Sequence, residues 1–206
     1  MSLQPSPPMR QLMDRYIALE QNLSQLWPAS FHGACCKCTK VCCVPHMGES
    51  IQNSEWLMAI SREVHGDWTS RACAPDQCVA LDTGGCILTV GKHPFCRQFA
   101  CDAIFESSTD SLSLIAEVFL SGILSQVCRV KKGAILTDMT WAQIESHSSQ
   151  LSRQLDEGER SLQLYNDFLS ADTSESKTAI ALKMTCLRPA TITGGVQSVL
   201  KTSGLF

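Results

Sequence analysis

Cysteine is the residue type with the clearest chemical potential in this sequence, because ten of its twelve cysteines lie between Cys35 and Cys101. The densest run, CCKCTKVCC, spans 35–43, and the segments CVALDTGGC and HPFCRQFAC follow it. A small buried thiol packs no better than alanine or valine, so packing gives no reason for this density. Clustered thiolates are ligands of zinc and of iron–sulfur clusters. The spacing therefore predicts a metal centre.

Eight of the clustered cysteines are the predicted metal ligands. They are Cys35, Cys38, Cys42, Cys43, Cys78, Cys86, Cys96 and Cys101. Cys36 and Cys73 remain open as further ligands. Cys42 and Cys43 are adjacent, and neighbouring side chains in an extended segment point to opposite sides. This pair therefore either occupies a turn or serves two different metal sites.

Two kinds of metal centre are compatible with this pattern. Structural zinc sites are usually built from Cys-x2-Cys pairs, and only Cys35 and Cys38 have that spacing. The run Cys35-x2-Cys38-x3-Cys42 is closer to the cysteine loops of iron–sulfur proteins. Eight thiolates suit two four-thiolate sites, or one cluster with additional cysteines that support it. The spacing favours an iron–sulfur cluster, of the 4Fe–4S type, and leaves zinc as the alternative.

Histidines near the cysteines, and cysteines far from them, are predicted to have supporting roles. His32, His46 and His93 lie within or beside the cluster. A single histidine near a metal loop more often hydrogen-bonds to the ligands than binds the metal. His46, which follows the first cysteine run, is the candidate exception. Cys128 and Cys186 lie outside the cluster and are predicted to be ordinary buried thiols.

The composition is that of a folded protein without a strong charge bias. Of the 206 residues, 44% are apolar and 18% are charged, and the net charge is −3. Basic and acidic residues are evenly spread, which argues against nucleic acid as a partner. The sequence shows no signal peptide and no apolar run long enough to span a bilayer. We therefore expect a cytoplasmic protein without membrane contact, whose thiols stay reduced. Its oligomeric state is left open.

Two helices and a hairpin are predicted around the cysteines. Apolar residues recur at steps of four and three from Met9 to Trp27, which indicates an amphipathic helix that packs on the core. Ser50 or Ser54 is expected to cap a second helix that reaches about Val64. The turn Asp82-Thr-Gly-Gly85 between short apolar runs predicts a β-hairpin. This hairpin would bring Cys78 and Cys86 toward each other.

The second half of the chain is predicted to be helical. One helix is expected between Ser107 and Cys128, and a long or broken amphipathic helix is expected to begin near Thr140. Ser148 and Gly158 interrupt the coiled-coil repeat of the latter, so a structural role is favoured over a dimer seam. The tail from residue 187 onward has no assignment.

Together these elements predict a mainly α fold with a small β-hairpin, in which irregular cysteine-rich metal-binding loops pack on a helical body. The predicted segments are an N-terminal helix in 1–34, the cysteine-rich metal-binding region in 35–106 and a helical region in 107–206. At this length the three segments are expected to form one compact domain.

The cysteine pattern also resembles a known family. Its elements are Cys38-x3-Cys42-Cys43, the hairpin segment CVALDTGGCIL, and the segment KHPFCRQF that contains Cys96. They resemble the bacterial and archaeal cysteine-cluster family described as zinc- or iron-chelating domains, whose distant relatives include flagellin lysine N-methylases. The resemblance covers about residues 35–101. It implies that about eight cysteines bind a metal, and its distant relatives imply a role in protein modification.

No catalytic residues are identified, because the hydrolase, P-loop and dinucleotide-binding motifs are missing. Two functions from different classes remain. The first is an iron–sulfur protein with a redox or protein-modification role and a redox partner. The second is a zinc-stapled structural or interaction module that contacts a protein partner and has no catalytic activity. A weaker third possibility is metal delivery, which predicts exposed thiols that exchange metal quickly.

Overall fold

The computed structural model describes residues 5–26, 44–71, 75–83, 85–98, 110–130 and 135–187. Its helices are α1 (Pro7–Leu26), α2 (Pro45–Asn53), α3 (Glu55–His65), α4 (Pro94–Gln98), α5 (Ser111–Ser121), α6 (Ile123–Val127), α7 (Trp141–Ser146), α8 (Ser148–Ser170) and α9 (Ser174–Leu187). The other elements are an antiparallel pair of strands, β1 (Leu81–Asp82) and β2 (Gly85–Cys86), and a 3-10 turn at Leu136–Asp138. The predicted mainly α fold with a small hairpin is confirmed.

Two further expectations concern the division into three segments and the absence of a membrane-spanning helix. The boundaries of the three predicted segments, at 34–35 and 106–107, lie outside the described residues, so this division stays a prediction. Within the described ranges, no helix combines the length and the apolar character needed to cross a membrane.

Helix α8 is the centre of the helical body, because α1, α5, α6 and α9 all pack against it. Its buried residues recur at steps of four and three, as predicted for a structural helix. They include Leu151, Leu155, Gly158, Leu162 and Tyr165. A Cβ atom at Gly158 would lie 2.7 Å from Val127 Cγ2 and 2.9 Å from Leu19 Cδ2. Glycine at this position therefore allows α8 to lie close against α1 and α6.

Helix α1 confirms the predicted N-terminal helix and begins two residues earlier than expected. Pro7 and Pro8 form its first turn, where a missing backbone N–H costs no helical hydrogen bond. The buried face carries the predicted apolar stripe together with one acidic residue, Glu20, which is fully buried. This carboxylate becomes important at the candidate metal centre.

Three aromatic side chains join α1, α3 and α7. Trp56 on α3 is fully buried, and its ring lies edge-on to Tyr16 with ring centroids 5.6 Å apart. On its other side it stacks on Trp141 at 5.8 Å. Ser54 caps α3 through a hydrogen bond from the Leu57 N–H, which settles the choice between the two predicted caps. The cap fixes the start of α3, and the contact between Trp56 and Tyr16 holds α3 on α1.

In the second half, one predicted helix is more broken than expected, and the other is broken, which was one of its two predicted forms. The single helix expected between Ser107 and Cys128 is two helices, α5 and α6, separated at Gly122. The pattern that begins near Thr140 is also interrupted, because α7 ends at Ser146 and α8 begins after His147. Thr140 itself forms a capping box with Gln143 at the start of α7. The sequence patterns did not predict α2 or α9.

Candidate metal centre

Three of the eight predicted ligands, Cys78, Cys86 and Cys96, lie among the described residues. The other five fall outside the described ranges, and so do the two undecided cysteines. These outside positions are Cys35, Cys36, Cys38, Cys42, Cys43, Cys73 and Cys101. The predicted ligand set therefore stays a prediction, and the structure contributes the surroundings of three of its members.

The predicted β-hairpin is confirmed and carries Cys86. Leu81 pairs with Cys86 and Asp82 pairs with Gly85 across the two strands. The Asp82 carboxylate accepts a hydrogen bond from the Thr83 N–H at 2.7 Å and forms an ion pair with Arg71. The Thr83 hydrogen bond and the Arg71 charge both hold the pKa of Asp82 below its ordinary value. Cys86 is half-buried at the end of this short, fixed turn.

Cys78 is buried three residues before the hairpin and packs against α2. Its carbonyl oxygen accepts a hydrogen bond from the Leu81 N–H at 2.9 Å. A Cβ atom at Gly48 would lie 3.2 Å from the Cys78 Sγ, so α2 lies directly against the sulfur and glycine eases this close approach. Since α2 begins two residues after Cys43, the second cysteine group packs against the helix that directly follows the first.

His93 links the third cysteine group to the same region. It is buried just before α4, and its Nδ1 accepts a hydrogen bond from the Phe95 N–H at 3.3 Å. Burial lowers the pKa of His93, an electrostatic contribution from Asp138 raises it and one from His46 lowers it. Both residues are therefore within electrostatic range of His93, His46 from α2 and Asp138 from the 3-10 turn.

The hydrogen bond to His93 also indicates its chemical role. An Nδ1 that accepts a hydrogen bond carries no proton, so the neutral ring carries its proton on Nε2. A histidine in this tautomer offers an N–H donor at Nε2 rather than a lone pair to a metal. The geometry is consistent with the predicted supporting role of His93. The contribution of Asp138 had no sequence signal, because it comes from a distant 3-10 turn.

Cys96 lies in the first turn of α4 and is exposed. Its backbone N–H donates to the His93 carbonyl at 2.8 Å, which fixes the turn between the two residues. Helix α4 packs on α5 and α6, so the helical body supports this cysteine from one side. Among the residues that the structure describes, no group of three or more Cys, His, Asp and Glu side chains could hold a metal ion. A complete centre therefore requires thiols from outside these ranges.

The two cysteines that were predicted to be ordinary buried thiols differ in their exposure to solvent. Cys128 is buried, its sulfur lies 3.6 Å from the Tyr16 hydroxyl, and burial raises its pKa to about 12. A thiol with this pKa stays protonated and is neither a nucleophile nor a ready metal ligand. Cys186 is exposed on α9, so the prediction that it is buried was wrong. Its helix packs through Ala181 and Met184, which leaves residue 186 on the outer face.

A four-residue segment, Thr89–Lys92, connects the hairpin to His93, and we call it the strap. Side chains from α1 and α3 bind all four of its backbone N–H groups. His65 Nε2 accepts from Thr89 at 3.2 Å and from Val90 at 3.3 Å, and Glu20 accepts from Gly91 at 2.7 Å and from Lys92 at 3.2 Å. The Ser24 hydroxyl donates to the Thr89 carbonyl at 2.7 Å. The strap is thus held by side chains and not by a β ladder.

Gly91 allows the strap to lie directly on α3. Its φ angle is +77°, a region that glycine adopts without steric cost. A Cβ atom at this position would lie 2.6 Å from Ser61 Cβ and 2.9 Å from the Ser61 backbone nitrogen. Ser61 is itself fully buried and accepts a hydrogen bond from Trp68 Nε1 at 3.0 Å. The strap therefore lies in direct contact with α3, where its hydrogen bonds to His65 and Glu20 hold it.

The His65 hydrogen bonds predict a pH dependence of stability. Nε2 can accept from Thr89 and Val90 only while the ring is neutral, and burial lowers the pKa of His65 below its ordinary value of about 6.5. At His65 the unfolded chain therefore binds a proton more readily than the folded chain does. The stabilisation from these two hydrogen bonds is complete above about pH 6.5 and is lost as the pH falls toward the folded-state pKa of His65. Urea unfolding between about pH 7 and pH 5 should show this loss.

The matched variant is His65→Gln, whose carbonyl oxygen can still accept a hydrogen bond but does not titrate. Its free energy of unfolding should fall less than that of the wild type over the same pH range. His93, whose pKa burial also lowers, should account for part of the remaining slope. Identical slopes in the two proteins would show that His65 is not responsible.

Comparisons with known proteins do not identify a relative. No protein-family model, curated protein or solved structure matches the chain. The resemblance to the cysteine-cluster family therefore remains a prediction from the motifs.

Proposed function

We propose that this protein binds a metal through its clustered cysteines, as an iron–sulfur protein with a redox or protein-modification role. The observation that supports this most directly is the convergence of segments from the three cysteine groups. Helix α2 begins two residues after Cys43 and packs on Cys78, and His46 in its first turn is within electrostatic range of His93, three residues before Cys96. Segments that are far apart in sequence are thus close around the start of α2.

The donor set suits a soft or borderline metal. Cys78, Cys86 and Cys96 present sulfur on three short segments, and five more predicted thiolates are available from outside the described residues. An iron–sulfur cluster bound there would supply one-electron transfer. The residues of this chain would hold and surround it: Cys78 from a buried position, Cys96 from an exposed one, and His93 as an N–H donor. Asp138 adds a negative charge to the surroundings.

The proposal has consequences for compartment and partner. Thiolate ligands require a reducing environment, so we place the protein in the cytoplasm. An electron-transfer role requires a redox partner, and a modification role requires a protein substrate. Cys96 and the neighbouring Phe95 are exposed, which leaves this edge of the proposed centre accessible. We propose no role in nucleic-acid or membrane binding.

The proposal predicts metal in protein purified without oxygen. Iron with an equal amount of acid-labile sulfide and broad visible absorbance is the expected result for the wild type. Cys78→Ser and Cys86→Ser should lose most of this metal, because a serine hydroxyl is a poor ligand for it. Elemental analysis, a sulfide assay and a visible spectrum measure these quantities.

Cys186→Ser is the matched control for these substitutions. It removes an exposed thiol on α9, which packs on α5 and α8, so its metal content should equal that of the wild type. Zinc alone, in colourless protein, would replace the iron–sulfur proposal by the structural zinc module and would direct the search to a protein partner. Metal-free wild-type protein would contradict both proposals.

A further inference from the structure

The strap Thr89–Lys92 lies between two predicted ligands, Cys86 and Cys96. Only two residues separate it from Cys86, and three residues separate it from Cys96. Its position relative to α1 and α3 therefore determines where the backbone leaves the hairpin and where it enters α4. A displaced strap would change the distance between these two cysteines. Groups that hold the strap are consequently in a position to control the geometry of the proposed centre.

Glu20 is the charged group among those that hold the strap. It is fully buried on α1, and its two carboxylate oxygens accept from two consecutive backbone N–H groups, those of Gly91 and Lys92. Burial of a carboxylate is unfavourable unless hydrogen bonds compensate for the lost water. The bonds to the strap supply part of that compensation, so the carboxylate and the strap stabilise each other's positions.

A carboxylate is the side chain that fits this arrangement. Each of its oxygens receives one N–H group, and both oxygens are acceptors only. A glutamine at position 20 would have the same shape but one oxygen, and its NH2 group would face a backbone N–H of the strap. An apolar residue would fill the space without binding either N–H. Simple packing of α1 therefore does not explain Glu20, whereas fixing the strap in one position does.

We infer that Glu20 is a positioning residue of the proposed metal centre, which it serves by fixing the strap and thereby the spacing of Cys86 and Cys96. This inference depends on the proposed function, since it concerns the same centre. Glu20 acts through the backbone and does not contact the metal. Outer groups that orient metal ligands commonly change metal affinity by about 10-fold to 100-fold when they are substituted. The same range is expected for Glu20.

The test measures the rate of metal release from the full chain. Wild type and Glu20→Gln are prepared with zinc and, separately, reconstituted with ferrous iron and sulfide without oxygen. Release into excess EDTA is followed by metal analysis and by the visible spectrum. Glu20→Gln should release metal about 10-fold faster than the wild type. Ser24→Ala removes the hydroxyl that bonds to the Thr89 carbonyl of the strap and to the Glu20 carbonyl of α1, and it should show a smaller increase in the same direction.

Met184→Ala is the control for a general loss of stability. Met184 is fully buried on α9, which packs on α5 and α8, whereas the strap is held by α1 and α3. Urea unfolding establishes how far it and Glu20→Gln are destabilised. Met184→Ala should release metal at the wild-type rate. If metal-bearing Glu20→Gln released metal no faster than Met184→Ala, the positioning role of Glu20 would be wrong, and the proposed function would not be affected. Wild type that binds neither metal would overturn the proposed function together with this inference.

Discussion

Replacement of Gly91 by alanine is expected to lower the free energy of unfolding by about 4 kcal/mol, which is a large effect for a single substitution. Two costs add. An alanine at φ +77° is strained by about 1–3 kcal/mol. Its Cβ would also lie 2.9 Å from the Ser61 backbone nitrogen, and since backbone cannot rotate away as a side chain can, the strap must lift from α3. Urea unfolding of the full chain measures the sum.

Gly66→Ala separates these two costs. Gly66 also has a positive φ angle, +68°, but no heavy atom lies within 4 Å of the position that its Cβ would occupy. This variant should therefore show the conformational strain alone, about 1–3 kcal/mol. Gly91→Ala should be clearly less stable than Gly66→Ala. Equal losses would mean that the close approach of the strap to Ser61 does not limit the fold.

Replacement of Gly158 by leucine is the second large effect, with an expected loss of about 3 kcal/mol in the free energy of unfolding. The first added atom would already lie 2.7 Å from Val127 Cγ2 and 2.9 Å from Leu19 Cδ2, and three further carbons must follow. Helix α8 must then move away from α1 and α6. Leucine also favours the helix over glycine by about 1 kcal/mol, which offsets part of the steric cost.

Arg160→Leu is the matched substitution on the exposed face of α8. The same side chain is introduced two residues away, where the native residue is exposed and its guanidinium bonds only weakly to its own helix, at 3.3 Å from the Asp156 carbonyl. Its free energy of unfolding should change by less than about 0.5 kcal/mol. Thermal unfolding followed by circular dichroism compares the variants. Similar melting temperatures for Gly158→Leu and the wild type would contradict the close helix packing.

Periodicity was sufficient to predict the long helices because their buried faces are continuous. The stripe that includes Tyr16 and Leu19 is buried on α1, and the stripe that includes Leu155 and Leu162 is buried on α8. The hairpin was predictable for a different reason: the turn residues after Asp82 permit few other backbone paths. Local sequence therefore determined these elements with little help from the rest of the chain.

The parts that escaped prediction depend on contacts between distant residues. Glu20 lies on the buried face of α1, four residues after Tyr16 and three before Leu23, and its partner in the strap is 71 residues away in the sequence. Asp138 reaches the neighbourhood of His93 from a 3-10 turn that has no periodic pattern. Cys186 was expected to be buried because it is an apolar thiol in a helix, yet α9 uses its opposite face for packing. No local pattern contains this information.

The way in which the strap is held also concerns the entropy of the proposed metal binding. Because side chains of α1 and α3 hold the backbone between Cys86 and Cys96, folding of the metal-free chain already restricts this part of the predicted ligand set. A preorganised set loses less conformational freedom when it binds, which raises affinity without any additional contact. Calorimetry should therefore show a less unfavourable binding entropy for the wild type than for variants with a released strap. In this protein, a hydrogen-bonded strap that does not itself touch the metal would contribute to how tightly the neighbouring thiols bind it.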